Sequence, residues 1–212
     1  MAYDLEEQEQ IESLKAFWKK YGNTLMSVLT VVLLAFAGWR GWGWYQARQA
    51  AEASLAWESL RKAAAAKDVA AVRDSAGSIF ERYASTAYAQ MAALVAARAY
   101  ADAGDLKAAR VPLQWAIEHA RDEEFQHVAR VRLAGIMIDD KAFDQAQALL
   151  SAKAPDRYQA LYDDRRGDLL VAQDKASDAR AAYRQALERL APSSPLRGLV
   201  QLKLDALGPG EG

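Results

Sequence analysis

Few residues in this chain have the types and spacing to do chemistry. Two histidines, His119 and His127, stand eight positions apart. They lack the H-E-x-x-H spacing that puts two imidazoles and a carboxylate on one helical face around zinc. They read as surface residues of helices. Two acid pairs come next, Asp139-Asp140 and Asp163-Asp164. Paired carboxylates serve as acid and base when burial splits their pKa values. The first pair reads as a helix-end feature before Lys141. The second adjoins Arg165-Arg166 and reads as a solvated charged face. No cysteine is present, which excludes thiolate metal sites, disulfides and cysteine nucleophiles. Neither a phosphate-cradling glycine loop nor a G-x-S-x-G nucleophile elbow occurs. The residues therefore predict no catalytic site, no cofactor site and no metal site. A non-enzymatic protein is expected.

The elements that would position any site divide the 212 residues into three zones. Hydrophobic letters make up 52% of the chain, but 46 residues are alanine, so much of that figure is helix former. Gly is 12 and Pro is 5, which argues against a turn-rich sheet protein. Tyr21 to Trp39 holds no charge, and Val28 to Ala37 is almost unbroken Val, Leu, Ala and Phe. Carried on to Trp44 past Arg40, about 21 residues cover roughly 30 Å at helical rise, a bilayer core. Phe17, Trp18 and Tyr21 flank one end and Trp39, Trp42, Trp44 and Tyr45 the other, at headgroup depth. Arg40 can snorkel outward. A transmembrane helix over 21–45 is the expectation.

Two other readings compete. Ala35-Phe36-Ala37 resembles a signal-peptidase site. The preceding segment is long and carries Asp4, Glu6, Glu7, Glu9 and Glu12, unlike a short basic n-region. A buried core helix is the other, though a run with tryptophans at both ends seldom fits a small domain. Lys15, Lys19 and Lys20 before the span outnumber Arg40 and Arg48 after it, which favours a cytoplasmic N-terminus. Residues 1–20 read as an amphipathic tail through Ile11, Leu14, Phe17, Trp18 and Tyr21, or equally as an extension of the span.

Residues 46–212 read as a soluble helical domain. Its charges cancel, so no basic field advertises nucleic acid and none steers an anionic ligand. Gln46 to Ala66 reads as one helix. Asp68 caps the next, to about Tyr83, and Ser85 or Thr86 opens a third that ends at Gly104. Ser194-Pro195 opens the last, with Gly208 beyond its end. Self-similarity links Ala97-x-x-Tyr100, Gly104-Asp105, Ala109, Leu113 and Ala116 to Ala134-x-x-Met137, Ala146 and Leu150. A third set is Gly167-x-x-Leu170, Ala179, Tyr183 and Ala186. Successive sets are offset by 37 and then 33 positions. That is the spacing of a tetratricopeptide helix–turn–helix. Small residues at Ala97, Ala134 and Gly167 let paired helices approach, and large ones fill the gaps between hairpins. Ala93 and Arg130 stand where a bulky residue is expected, and Pro112 should kink a helix or make it start late. A generic alanine-rich bundle is the competing fold. The expected class is all-α: an N-terminal single transmembrane helix followed by a tetratricopeptide-like right-handed helical solenoid, capped by the helix from Pro195 to Leu207.

The acidic tail with Glu9-Gln10-Ile11-Glu12-Ser13-Leu14-Lys15-Ala16-Phe17, the exit Gly38-Trp39-Arg40-Gly41-Trp42, the Ala51–Ala66 helix and the degenerate repeat, Gly167-Asp168 included, follow in order. In that order they resemble the YfgM-like family, ancillary subunits of the bacterial SecYEG translocon. The resemblance implies a single-pass protein of the bacterial inner membrane. It places residues 1–20 in the cytoplasm, 21–45 in the membrane and 46–212 in the periplasm. It implies association with SecYEG and with a PpiD-type periplasmic chaperone, assisting newly translocated proteins. It brings no catalytic residues, nucleic acid or small-molecule substrate. Two other functions fit the same architecture: a tethered regulator sequestering a cytoplasmic signalling protein, and a cell-envelope scaffold.

Overall fold

A computed structural model describes residues 3–208, with side chains from residue 9 onward. The described chain is helical, without strands. It divides into two compact units, residues 1–51 and 52–212.

The first unit belongs to helix α1, Tyr3–Ala65, which continues into the second. No proline interrupts it, and Gly22, Gly38, Gly41 and Gly43 weaken the helix without stopping it. The tail, the apolar run and the segment from Gln46 are therefore one continuous helix, not separate pieces. Glu9–Ala65 contains an 18-residue window of mean hydropathy 1.6, long and apolar enough to cross a membrane. Leu25, Val28, Leu29, Val32, Leu33 and Phe36 are all exposed within the unit. Ser27 Oγ donates to the Asn23 carbonyl at 2.9 Å and Thr30 Oγ1 to that of Met26 at 2.8 Å. Both hydroxyls thus find partners inside the helix, as an apolar solvent demands. Ring pairs brace both ends: Phe17–Tyr21 at 5.1 Å, and Trp42–Tyr45 at 5.9 Å.

In the second unit the end of α1 is followed by α2 (Val69–Arg82), α3 (Ala87–Asp102), α4 (Leu106–His119) and α5 (Glu123–Asp139). Then come α6 (Phe143–Leu150), α7 (Asp156–Ala172), α8 (Ala176–Arg189) and α9 (Leu196–Ala206). Among α2 to α9, packing joins each helix to the next, and α3 to α5 and α5 to α7. Such near-neighbour contact is how stacked helical hairpins share a core.

One turn recurs at every hairpin. Lys67, Gly104, Lys141 and Asp174 all have φ between 58° and 80°. At each, the following residue donates its N–H five residues back: Asp68 to Ala63, Asp105 to Tyr100, Ala142 to Met137 and Lys175 to Leu170. This left-handed residue closes one helix and aims the chain into the next. Asp68 and Asp105 then cap the following helix through Ala71 N–H at 3.0 Å and Ala108 N–H at 2.9 Å. The four turns are offset by 37, 37 and 33 positions. The repeat therefore begins one hairpin earlier than the sequence sets indicated, with the end of α1 paired to α2.

Packing follows the same offset. Ala97, Ala134 and Gly167 are buried, as are Ala109, Ala146 and Ala179. One period before the first set stand Leu60, Ala63, Val72, Ala76 and Ile79, all buried. The sizes are exchanged: Leu60 and Ile79 are large where the next unit has Ala97 and Ala116, while Ala63 and Ala76 are small where it has Tyr100 and Leu113. A reading by residue identity misses a unit that keeps volume by swapping positions. Pro112 is buried inside α4, which nonetheless starts at Leu106, so the late start does not occur. Pro195 is the N-cap of α9, and the first helical position is Leu196. α9 buries Val200 but exposes Leu199 and Leu202.

Candidate functional site

The face left open by this packing is a groove. Met91, Leu94, Val95, Arg98, Ala99 and Asp102 recur along α3 at three- and four-residue spacing, on the side opposite its buried alanines. Trp57 and Ala64 from the end of α1 and Phe125 and Arg132 from α5 complete the lining of about 440 Å³. The floor is apolar and the rim is charged. Trp57 lies 6.4 Å from Tyr88, ring to ring.

The rim cations differ. Arg98 Nε donates to Asp102 Oδ2 at 2.8 Å, and that carboxylate holds the guanidinium above its usual value. Arg132 has no carboxylate or hydrogen-bond partner among the described residues. Arg132 is exposed; partial desolvation, and then the like charge of Arg98, shift it below the usual guanidinium value. The sequence reading missed this groove. The α3 spacing was a usable signal, but an ordered helix face becomes a groove only when α1 and α5 wall it.

The residues singled out for chemistry are dispersed. His119 is exposed and stacks on Trp115 at 5.3 Å. His127 is buried, which corrects its reading as a surface residue. Its Nδ1 lies 2.8 Å from the Tyr162 hydroxyl, and its ring stacks on Tyr158 at 4.6 Å. Burial first, then Arg130 and Arg157, hold His127 below the usual imidazole value, with Glu123 opposing. α5 needs a side chain there that fills aromatic space and also satisfies a phenol, and imidazole does both.

Asp139 closes α5, Asp140 follows it, and Arg110 of α4 pairs with Asp140. The solvated reading of Asp163-Asp164 is likewise corrected. Asp163 is 1% exposed. It accepts from Arg166 Nη1 at 2.5 Å and from Arg189 of α8. Arg166 also donates to the Leu150 carbonyl at 3.2 Å, which ties the end of α6 to α7. Asp164 accepts from Lys203 Nζ of α9 at 2.7 Å, and burial raises it above the usual carboxylate range. Asp168 accepts from the Tyr183 hydroxyl at 2.8 Å and from Arg165 Nη1 at 2.9 Å. Burial, and then Asp168, push the Tyr183 phenol far up. Asp140, Asp163, Asp164 and Asp168 are each engaged by a cation or a phenol. Asp163, Asp164 and Asp168 pin α7, α8 and α9 together.

A family model described as a tetratricopeptide repeat-like domain matches residues 15–209. Curated relatives share the chain nearly end to end. An ancillary SecYEG translocon subunit of Neisseria gonorrhoeae is 31% identical over 98% of this chain and 100% of its own length. The proteins so named from Haemophilus influenzae and Escherichia coli are 28% and 26% identical. They cover 88% and 95% of this chain, and 91% and 96% of their own lengths. No solved structure matches the chain.

Proposed function

Because this chain belongs to the tetratricopeptide repeat-like family of ancillary SecYEG translocon subunits, we propose that it is a membrane-anchored adaptor of the Sec translocon. Residues 21–45 cross the inner membrane, residues 1–20 lie in the cytoplasm and residues 46–212 in the periplasm. The repeat domain binds a PpiD-type chaperone and assists newly translocated proteins. The observation that carries this reading is the pairing, in one chain, of an exposed apolar helix with a helical repeat that leaves a lined groove open. Anchoring confines the groove to the membrane surface and raises its effective concentration there without any new contact. The apolar helix also has small-residue positions at Gly38, Gly41 and Gly43 where a Cβ would meet nothing, which suits close approach of a partner span.

The test is affinity purification from solubilised membranes. The full chain is expected to bring down translocon components, and a chain lacking residues 1–45 to lose them. Retention of those components by the shortened chain overturns the anchor role. Recovery of the chaperone on the full chain is expected in the same eluate.

A further inference from the structure

We infer that Arg40 and the ring-lined recess around it hold the headgroup of an anionic phospholipid at the exit of the span. This rests on the reading that residues 21–45 cross the membrane, and it adds a lipid partner to that reading.

Arg40 is exposed in an open recess between Phe36 and Trp44, about one helical turn to either side of it. Ala37, Gly41 and Gly43 also line the recess, and a Cβ at either glycine would meet nothing within 4 Å. The rings of Trp39, Trp42, Trp44 and Tyr45 put this stretch at headgroup depth. Side chains on a helix lean toward its N-terminus, which for Arg40 is back into the bilayer. Its guanidinium therefore reaches lipid phosphate sooner than bulk water. No acidic residue stands between Glu12 and Glu52. The next carboxylate beyond Arg40 on this helix is thus Glu52, roughly 18 Å away at helical rise. The counter-charge has to come from outside the helix, and phosphate is the anion present at that depth. A guanidinium takes two phosphate oxygens through parallel hydrogen bonds. The glycines leave room for the headgroup beside the helix, and an acyl chain descends past Ala37. A zwitterionic headgroup is the poorer match, since its own cation stands against Arg40. The Trp44 ring, which could draw a choline cation, already has the Arg48 guanidinium over it at 5.8 Å.

The experiment holds the full chain, one copy per nanodisc, in phosphatidylcholine. Each disc carries a trace of photoactivatable phosphatidylglycerol or phosphatidylcholine, with the diazirine high on the acyl chain, and adducts are mapped by mass spectrometry. On residues 36–44 the phosphatidylglycerol adduct is expected to exceed the phosphatidylcholine adduct about fivefold, the ratio expected of one basic side chain facing anionic lipid. Arg40→Gln is expected to bring the two to parity, and Arg40→Lys to keep part of the preference. Adducts on residues 15–22, beside Lys15, Lys19 and Lys20, are expected to stay as in wild type, which a misfolded or displaced helix would not allow. Inorganic phosphate, set against chloride at equal ionic strength, is expected to leave the preference in place. Equal adducts from the two lipids on residues 36–44 of the wild-type chain overturn the inference. So does a preference that Arg40→Gln leaves unmoved, or one that soluble phosphate abolishes. Adducts along residues 24–36 with no preference at the exit sink the headgroup inference alone. No adducts anywhere on the span sink the membrane reading with it.

Discussion

Gly77 and Gly167 both lie inside helices, yet a Cβ at each meets different surroundings. At Gly77 it meets nothing within 4 Å. At Gly167 it would press into the Tyr183 ring, 2.7 Å from Cζ. That ring is 2% exposed and its hydroxyl is bound to Asp168 at 2.8 Å, so it cannot swing aside. Helix propensity alone favours alanine over glycine by about 1 kcal/mol. At 77 that term acts alone, and Gly77→Ala is expected to raise the melting temperature. At 167 overpacking of about 1–3 kcal/mol outweighs it. Gly167→Ala is therefore expected to lower the melting temperature. Thermal unfolding of the two variants beside wild type checks both signs, and a rise at 167 would show that the ring moves at little cost.

Helix α1 carries the membrane reading, and the chain's lack of cysteine makes that reading testable without altering the background. Single cysteines at Gln10 and at Lys153 fall on the two sides of the proposed span. In intact spheroplasts a membrane-impermeant maleimide is expected to label position 153 at once. Position 10 is expected to label only after permeabilisation. The opposite pattern inverts the proposed orientation, and labelling of both in intact cells removes the span. The three lysines before the apolar run favour the first outcome, but only by a small excess over the two arginines that follow it. Within the repeat domain, the shared left-handed turn does comparable work for every hairpin. Only Gly104 takes that conformation freely. Lys67, Lys141 and Asp174 each hold it at a cost of about 1 kcal/mol, which the closing hydrogen bonds and the packing of the paired helices offset.

Taken together, the helices of residues 52–212 form a stack whose core falls into three clusters. One joins the end of α1 through α5, one gathers α5, α6 and α7, and one joins α8 to α9. His127 and Tyr162 link α5 to α7, where the first two clusters meet. The pH dependence of that link has a definite sign. An imidazole held below its unfolded value of 6.5 binds protons more readily in the unfolded chain. Its contribution is therefore fully present above about pH 6.5 and is lost as pH falls through the folded value. The wild-type melting temperature is expected to drop between pH 7 and 5.5 by more than that of His127→Gln. Asp164, raised by burial from 3.8, gives the opposite slope and so does not produce a loss of stability as pH falls. Equal drops in the two chains would show that the histidine is not the responsive group. Hydrogen exchange is expected to rise first in α5 and α7, because a stacked repeat loosens locally at a weakened joint.

Much of this architecture is written along the chain. The apolar run at Tyr21–Trp39, the alanine content, the caps at Asp68 and Thr86, and the offsets of 37 and 33 positions are visible in a single string of letters. They are visible because span length, helix propensity and repeat period are properties of near neighbours. The fate of the polar residues is not of that kind. Asp163 is buried because Arg189, 26 positions away, comes to meet it, and His127 because Tyr162 does so across 35. Asp164 depends on Lys203, 39 positions on. A charged pair beside two arginines looks solvated until the fold supplies partners for it from another helix. The first hairpin escaped notice for a related reason, since Leu60 and Ile79 exchange volume with Ala63 and Ala76 and only packing reveals the equivalence. The groove is the clearest case. Its α3 face was readable at helical spacing, but it becomes one wall of a groove only where α1 and α5, distant in sequence, come to flank it.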